Sequence, residues 1–251
     1  MTICCLDLDN TLIYSYKHDW KEPKRCVEYY HGREGAFLSE RSWRLLRELS
    51  HKAFIVPVTT RSVEQYRRVD LGIGELPYAL ACNGGVLLTG ETVEERWYLE
   101  SHRLAQKSVQ ELARARLLME KDKRRSFEVR EVEGLFLFTK SGQAQASAAW
   151  LRRELDSDFV EVFHSGRKVY AMPKELTKGR AVSRLKERLK ADRVVAAGDS
   201  GLDVSMLQCA DIGIAPAGLK IGETAGKLVK VEETGKLFSE AALECMLCCI
   251  R

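Results

Sequence analysis

The chain opens on an unbroken apolar run, Ile3-Cys4-Cys5-Leu6, which stops at Asp7-Leu8-Asp9. A short apolar run bounded by polar residues predicts a buried strand. Ser39 then caps a predicted helix with Trp43, Leu46 and Leu49 on one face. A second strand is predicted over 54–58, with Pro57 late in it or at a bulge. Ser62 caps a short helix, and a third strand over 78–82 runs into the turn Asn83-Gly84-Gly85. Between the first strand and the first helix lies a polar, aromatic segment, 13–38. It is long for a loop in a compact domain, which marks it as a lid or as carrying short structure of its own.

The pattern then changes. Residues 86–88 and 95–99 read as a hairpin around Gly90, followed by a long helix over 102–121. Strands over 127–131 and 134–139 pair antiparallel, and Ser141 opens a helix carrying Trp150, Leu151 and Leu155. A hairpin over 159–163 and 168–172 turns at Ser165-Gly166. Such mixing of helices and hairpins is α+β in character, unlike the βαβ start. After Pro173 the alternation resumes: a helix from Thr177 to about 190, a buried strand over 194–197, a loop at 198–201, a short helix over 203–207 and a strand over 212–215. The whole predicts an α/β protein with a split parallel-sheet core, 1–85 and 173–251, and an α+β insertion, 86–172.

Composition narrows the class. With 45% hydrophobic and 30% charged residues the chain suits a soluble globular protein. The net charge of +4, from 40 Lys+Arg against 36 Asp+Glu, is too weak for a nucleic-acid binder but suits an anionic substrate. No apolar run approaches the roughly 18 residues of a membrane span, and the start lacks the pattern of a secretory signal. Cys4, Cys5, Cys82 and Cys209 read as small core residues. Cys245, Cys248 and Cys249 lie in an apolar C-terminal helix without the second CxxC pair of a zinc site. A cytoplasmic, reducing setting is expected.

Four chemical pieces fall where a parallel sheet gathers ligands, at strand carboxyl ends. These are Asp7-Leu8-Asp9-Asn10-Thr11, Thr59-Thr60-Arg61, Lys178 at a helix start, and Gly198-Asp199-Ser200-Gly201-Leu202-Asp203. On an extended strand Asp7 and Asp9 share a side, and a cation would relieve their repulsion. Asp7 is the candidate nucleophile toward phosphorus, giving an aspartyl phosphate. Asp9 is the candidate acid and base. The carboxylates of Asp7 and Asp199 and the carbonyl of Asp9 are candidate Mg2+ ligands. Thr59, with Thr60 beside it, and Lys178 are candidate phosphate-binding residues, and Asp203 would support Lys178 or a metal-bound water.

These motifs, in this order, resemble those of the haloacid dehalogenase superfamily phosphatases. The run from Val169 to Pro173 through Thr177-Lys178-Gly179-Arg180-Ala181, and Asn83-Gly84, resemble the subgroup with a type C2 cap. That subgroup includes the Cof-like, sucrose-phosphate and mannosyl-3-phosphoglycerate phosphatases and the phosphomannomutases. The resemblance implies a Rossmann-like core, a cap inserted after the third strand, and Mg2+-dependent phosphoryl transfer on a small phosphorylated metabolite, a sugar phosphate first. Three features depart from the family pattern: Leu202 where Asn is common, Thr60 where Gly is common, and the length of 13–38.

Arg61, Asn83 and Arg167 are candidate substrate contacts. Arg61 follows the threonines, and Asn83 serves the turn or the substrate. Arg124, Arg125, Arg130, Lys140, Arg167 and Lys168 form an anion-binding surface or an ordinary solvated face. His18, His31 and His164 lack metal-ligand spacing. Trp20, Tyr29 and Tyr30 line a sugar-sized pocket or pack the long segment down. Two rival functions stay open: a phosphomutase, and a binding or regulatory protein in which Leu202 marks weakened catalysis. Oligomeric state is open as well.

Overall fold

The opening apolar run forms the strand Thr2–Leu6, in which Ile3, Cys4, Cys5 and Leu6 are all buried. Burial on both faces is the mark of a central parallel strand. It pairs in parallel with Arg193–Ala197 on one side and Phe54–Pro57 on the other. Ile212–Pro216 and Lys227–Val231 continue the sheet beyond Arg193–Ala197. In this computed structural model residues 1–232 and 235–250 are described. The chain divides into two compact units, Met1–Val93 with Lys178–Arg251, and Glu94–Thr177.

In the first unit the helix Glu40–Ser50 starts at Ser39, whose hydroxyl accepts from the Ser42 amide. Leu46 and Leu49 are buried on its inner face. They join a core shared with Leu6, Ile55, Val195 and Ile214 and with Phe238, Leu243 and Met246 of the C-terminal helix Phe238–Cys249. Burying each such side chain is worth about 1.5–3 kcal/mol before entropy is counted. The helix Val63–Arg67 carries a full capping box between Ser62 and Gln65. Pro57 is the last residue of its strand, where it costs no ladder bond.

The long segment is a small antiparallel sheet of its own. Tyr14–Ser15, Lys24–Tyr30 and Arg33–Ser39 pair in the order first, third, second. The strand Lys24–Tyr30 shifts register around Glu28, a bulge that re-aims that side chain. Trp20 packs edge-on to Tyr14 and Phe37, whereas Tyr29 and Tyr30 are exposed. The third strand, Tyr78–Ala81, enters a tight turn in which Cys82, Asn83 and Gly84 all take positive φ.

The second unit contains the four-stranded antiparallel sheet of Val160–Ser165, Lys168–Pro173, Phe136–Lys140 and Arg130–Val132, in that order. Helices Val109–Lys121 and Ala144–Glu154 cover it through Ala115, Met119, Ala148 and Leu151. The expected strand over 95–99 is instead the start of a helix, Glu95–Ala105. Its buried residues Trp97, Ser101 and Ala105 recur every four positions, a helical period hidden behind the strand-like run Trp-Tyr-Leu. Val86–Thr89 pairs with Thr92–Val93 across Gly90 instead. The long helix expected over 102–121 is interrupted by a 3-10 turn at Gln106–Ser108. Lys227–Val231, in a segment without strand alternation, is a strand the sequence pattern did not announce. All eight cysteines are unpaired, and Cys248 is exposed. No helix among the described residues is long and apolar enough to cross a membrane.

Candidate active site

Three strand ends and one helix start build the site in the first unit. The Thr2–Leu6 strand delivers Asp7 at its tip, where its amide donates to the Ala197 carbonyl. That register, with Leu6 opposite Ala197, brings in the loop that starts at Gly198. Lys178 is the first residue of the helix Lys178–Leu189 and is 1% exposed. Its ammonium donates to Asp7 Oδ1 at 2.5 Å and to Asp203 Oδ1 at 2.6 Å. The other Asp203 oxygen accepts from the Ser200 amide and hydroxyl at 3.0 and 2.8 Å, which closes the loop. Thr11 donates to Asp199 Oδ1 at 2.8 Å. Two glycines make this approach possible. A Cβ at Gly198 would lie 2.3 Å from Asp203 Cβ, and one at Gly179 would lie 2.2 Å from the Ser205 carbonyl oxygen.

The site carries more negative charge than its one ammonium balances. Burial, then the Asp203 charge, pushes the Asp7 carboxyl well above its usual range despite Lys178. Burial and Asp203 likewise push Asp199 up to about 6, against the hydrogen bond from Thr11. Burial works against the charge on Lys178, but Asp203 and Asp7 outweigh it and hold the ammonium protonated. Ligand oxygens of Asp7, Asp199 and Asp203 lie within 4.8 Å of one another. Three carboxylates against one ammonium, all hard oxygen donors, fit a divalent cation such as Mg2+. Asp203 already spends both oxygens on Lys178 and Ser200, so Asp7 and Asp199 are the carboxylates best placed to hold one.

Asp9 lies past the end of the strand, and its carboxylate has a partner of its own. The strand stops at Leu6, and the chain then turns through Asn10, which has φ 65°. The strand rule that sets residues i and i+2 side by side therefore does not reach Asp9. Its carboxylate is outside the three-aspartate group and is held by Arg61, whose Nε and Nη2 donate to its two oxygens at 3.0 and 2.8 Å. Arg61 Nη1 meets Glu28 Oε2 at 3.0 Å. Burial opposes the Arg61 charge, but Asp9 and Glu28 raise its pKa further.

Thr59 is buried, and its hydroxyl accepts from the Arg61 amide at 3.1 Å. Thr60 follows it, half-buried. The Asn83 amide donates to the Thr59 carbonyl at 2.8 Å, so Asn83 braces the threonine turn. Leu202 is buried beside the Asp203 loop. Arg167 belongs to the second unit, where its guanidinium donates to the Ser126 hydroxyl at 3.0 Å. Glu28 is the member of this constellation that sequence reasoning missed. Its one signal is a carboxylate set directly after Val27 in an aromatic segment.

A family of haloacid dehalogenase-like hydrolases matches residues 86–217, more than half of the 251 residues. The chain belongs to this family. The matched stretch includes Lys178 and the 198–203 loop of this hydrolase. No curated protein sequence matches it. Among solved structures, the sucrose-phosphatase of Synechocystis sp. PCC6803 in complex with sucrose and phosphate superposes with a TM-score of 0.65 at 16% identity, over 98% of this hydrolase and 96% of that chain. Thermoplasma acidophilum 0175 gives 0.60 at 14%, over 98% and 97%. An IMP-bound Plasmodium falciparum IMP-nucleotidase gives 0.60 at 12%, over 98% and 68%. At these identities the likeness speaks for the fold: a Rossmann-like parallel core with an α+β insertion.

Proposed function

We propose that this hydrolase is a Mg2+-dependent phosphatase of a small phosphorylated metabolite, with sugar phosphates as the leading class. The single observation that carries the reading is the buried ammonium of Lys178 bonded to both Asp7 and Asp203, with Asp199 within ligand distance of the same group. A buried lysine held among three carboxylates is a costly arrangement for stability alone. It is well suited to receiving a dianionic phosphoryl group together with a cation.

In this reading Asp7 attacks phosphorus and the bond to the ester oxygen breaks. Asp9, after taking up a proton from solvent, gives it to the leaving oxygen. Asp9 then takes a proton from water, whose oxygen attacks the phosphorus of the aspartyl phosphate. The bond to Asp7 breaks and inorganic phosphate leaves. Lys178 neutralises the phosphoryl oxygens and the attacking carboxylate, and the Thr59 hydroxyl, with Thr60 beside it, hydrogen-bonds the phosphoryl group. Asp203 keeps Lys178 in place. Mg2+, bound by Asp7 and Asp199 with the Asp9 carbonyl, would shield the charge between nucleophile and substrate. The unit Glu94–Thr177 is assigned the role of a cap that selects the substrate, and the remainder that of the catalytic core. Arg167 and Asn83 are assigned no chemical step. The cytoplasm is the proposed setting.

The sucrose-phosphatase and IMP-nucleotidase likenesses frame the test: a phosphate-release screen over sugar, polyol, nucleotide and glycerate phosphates, with Mg2+ and with EDTA. Release that needs Mg2+ and is strongest on one sugar phosphate supports the reading. Binding without turnover, or conversion to an isomer, overturns it in favour of a binding protein or a mutase.

A further inference from the structure

Glu28 lies far from the reacting aspartate in sequence, on the small sheet that fills 13–38, yet its side chain is only 9% exposed. A carboxylate is rarely buried without a dedicated partner. Its Oε2 meets Arg61 Nη1 at 3.0 Å, and its Oε1 faces Arg68 Nε at 3.4 Å. The backbone is arranged to deliver it. The strand Lys24–Tyr30 changes register on both sides of Glu28. An isolated antiparallel bridge joins Glu28 to Val69, and the Asp70 amide donates to the Val27 carbonyl at 2.8 Å. Arg68 is in turn covered by the Tyr30 ring at 4.4 Å. The sheet is thus docked on the segment that follows Arg61, and Glu28 is its deepest charged point.

Arg61 uses different edges for its two acids. Nε and Nη2 grip Asp9 in a bidentate fork, and Nη1 goes to Glu28. A guanidinium is planar, so fixing one edge fixes the direction of the other. A bidentate fork then sets the plane of the Asp9 carboxylate as well as its position.

We propose that Glu28 is a positioning residue, which holds Arg61 so that Asp9 presents its carboxyl to the leaving oxygen of the substrate. The inserted sheet is therefore a working part of proton transfer. The proposal rests on the role given to Asp9 above. It predicts a defect confined to steps that need the proton, since a poor leaving group depends on general acid catalysis and a good one does not.

The test compares Glu28→Ala and Glu28→Gln with the parent on two generic esters, phenyl phosphate (poor leaving group) and p-nitrophenyl phosphate (good leaving group). Circular dichroism and thermal unfolding accompany each variant. In acid-quenched single turnover, which reads the first step alone, Glu28→Ala is expected to slow aspartyl-phosphate formation from phenyl phosphate by roughly 10- to 100-fold, as a misplaced catalytic group does, and to leave its formation from p-nitrophenyl phosphate nearly intact. Glu28→Gln keeps the shape and a hydrogen bond to Arg61, so it should recover much of the loss. Should the alanine variant fail to fold, the glutamine variant carries the comparison, with a smaller selective loss expected. Equal losses on both esters, or no loss, overturn the proposal. If the parent hydrolyses neither ester nor any metabolite, the phosphatase reading fails. The positioning claim is then read from a crystal structure of the variant, where Arg61 leaving Asp9 supports it and an unmoved Arg61 overturns it.

Discussion

Thr11 and Asp199 are 188 residues apart in sequence, and the hydroxyl of one donates to the carboxylate of the other at 2.8 Å. The bond ties the turn after the first strand to the loop after Arg193–Ala197, on the neighbouring strand of the sheet. It fixes one Asp199 oxygen on Thr11 while the carboxylate stays within 4.8 Å of those of Asp7 and Asp203.

Asp199 is pushed up to about 6 from the ordinary 3.8. A carboxyl that holds its proton more tightly in the folded chain than in the unfolded one favours the fold as pH falls through about 6 toward 3.8. Its charged form is therefore a cost at neutral pH. In EDTA, Asp199→Asn is expected to have a higher Tm than the parent at pH 7, with the gap narrowing below pH 6 and closing only once the pH is below the ordinary 3.8. Saturating Mg2+ should reverse the order at pH 7, because the ion binds the folded parent better. A pH-independent gap in differential scanning calorimetry would contradict this.

Lys178 balances two acids, and all three side chains are buried. Lys178→Met leaves Asp7 and Asp203 side by side without a counter-charge. Breaking a buried ion pair from one side costs about 3–5 kcal/mol. Urea unfolding of the metal-free variant should show a loss of that size, together with complete loss of phosphate release. A stability change of less than about 1 kcal/mol would mean that the ammonium is not held as the structure has it.

Gly179 lets the lysine helix lie against the Ser205 backbone. Gly179→Ala places a methyl 2.2 Å from a carbonyl oxygen that cannot easily retreat. Overpacking of this kind costs about 1–3 kcal/mol, and here it displaces Lys178 next door. Stability and kcat are expected to fall together. An unchanged Tm would contradict the packing.

Asp211 gives the opposite pH sign from Asp199. Burial raises its pKa, but the Val194 amide and Lys186 outweigh burial and hold it below the usual value. Its contribution to stability is present above the ordinary 3.8 and fades as pH falls through the lower folded value. Asp211→Asn should therefore unfold at a lower temperature than the parent at pH 7, and the difference should shrink as pH falls below 3.8. A constant difference across that range would contradict the assignment.

The outer frame of the molecule was legible in the sequence, because apolar runs such as Ile3–Leu6 and caps such as Ser39 and Ser62 are local signals. So was the gathering of Asp7, Lys178, Asp199 and Asp203, since strand ends of a parallel sheet converge whatever the loops between them do. The grip of Arg61 on Asp9 was not legible. The strand ends one residue before Asp7, and a left-handed Asn10 turns the chain before the strand period can apply. The helix at Glu95–Ala105 was obscured because three consecutive large side chains, Trp97-Tyr98-Leu99, mimic a strand, while only Trp97 of the three is buried. Glu28 was hidden for another reason. Its meaning depends on a bulge and on a partner, Arg61, that only the fold supplies.

The central claim is that Asp7 carries the phosphoryl group. Acid-quenched single turnover with Mg2+ and a turned-over phosphate ester, followed by mass spectrometry of the N-terminal peptide, tests it most directly. The account predicts a transient gain of one phosphoryl group on Asp7, absent in Asp7→Asn. Phosphate release by the parent with no such gain, or by Asp7→Asn at the parent's rate, would contradict it.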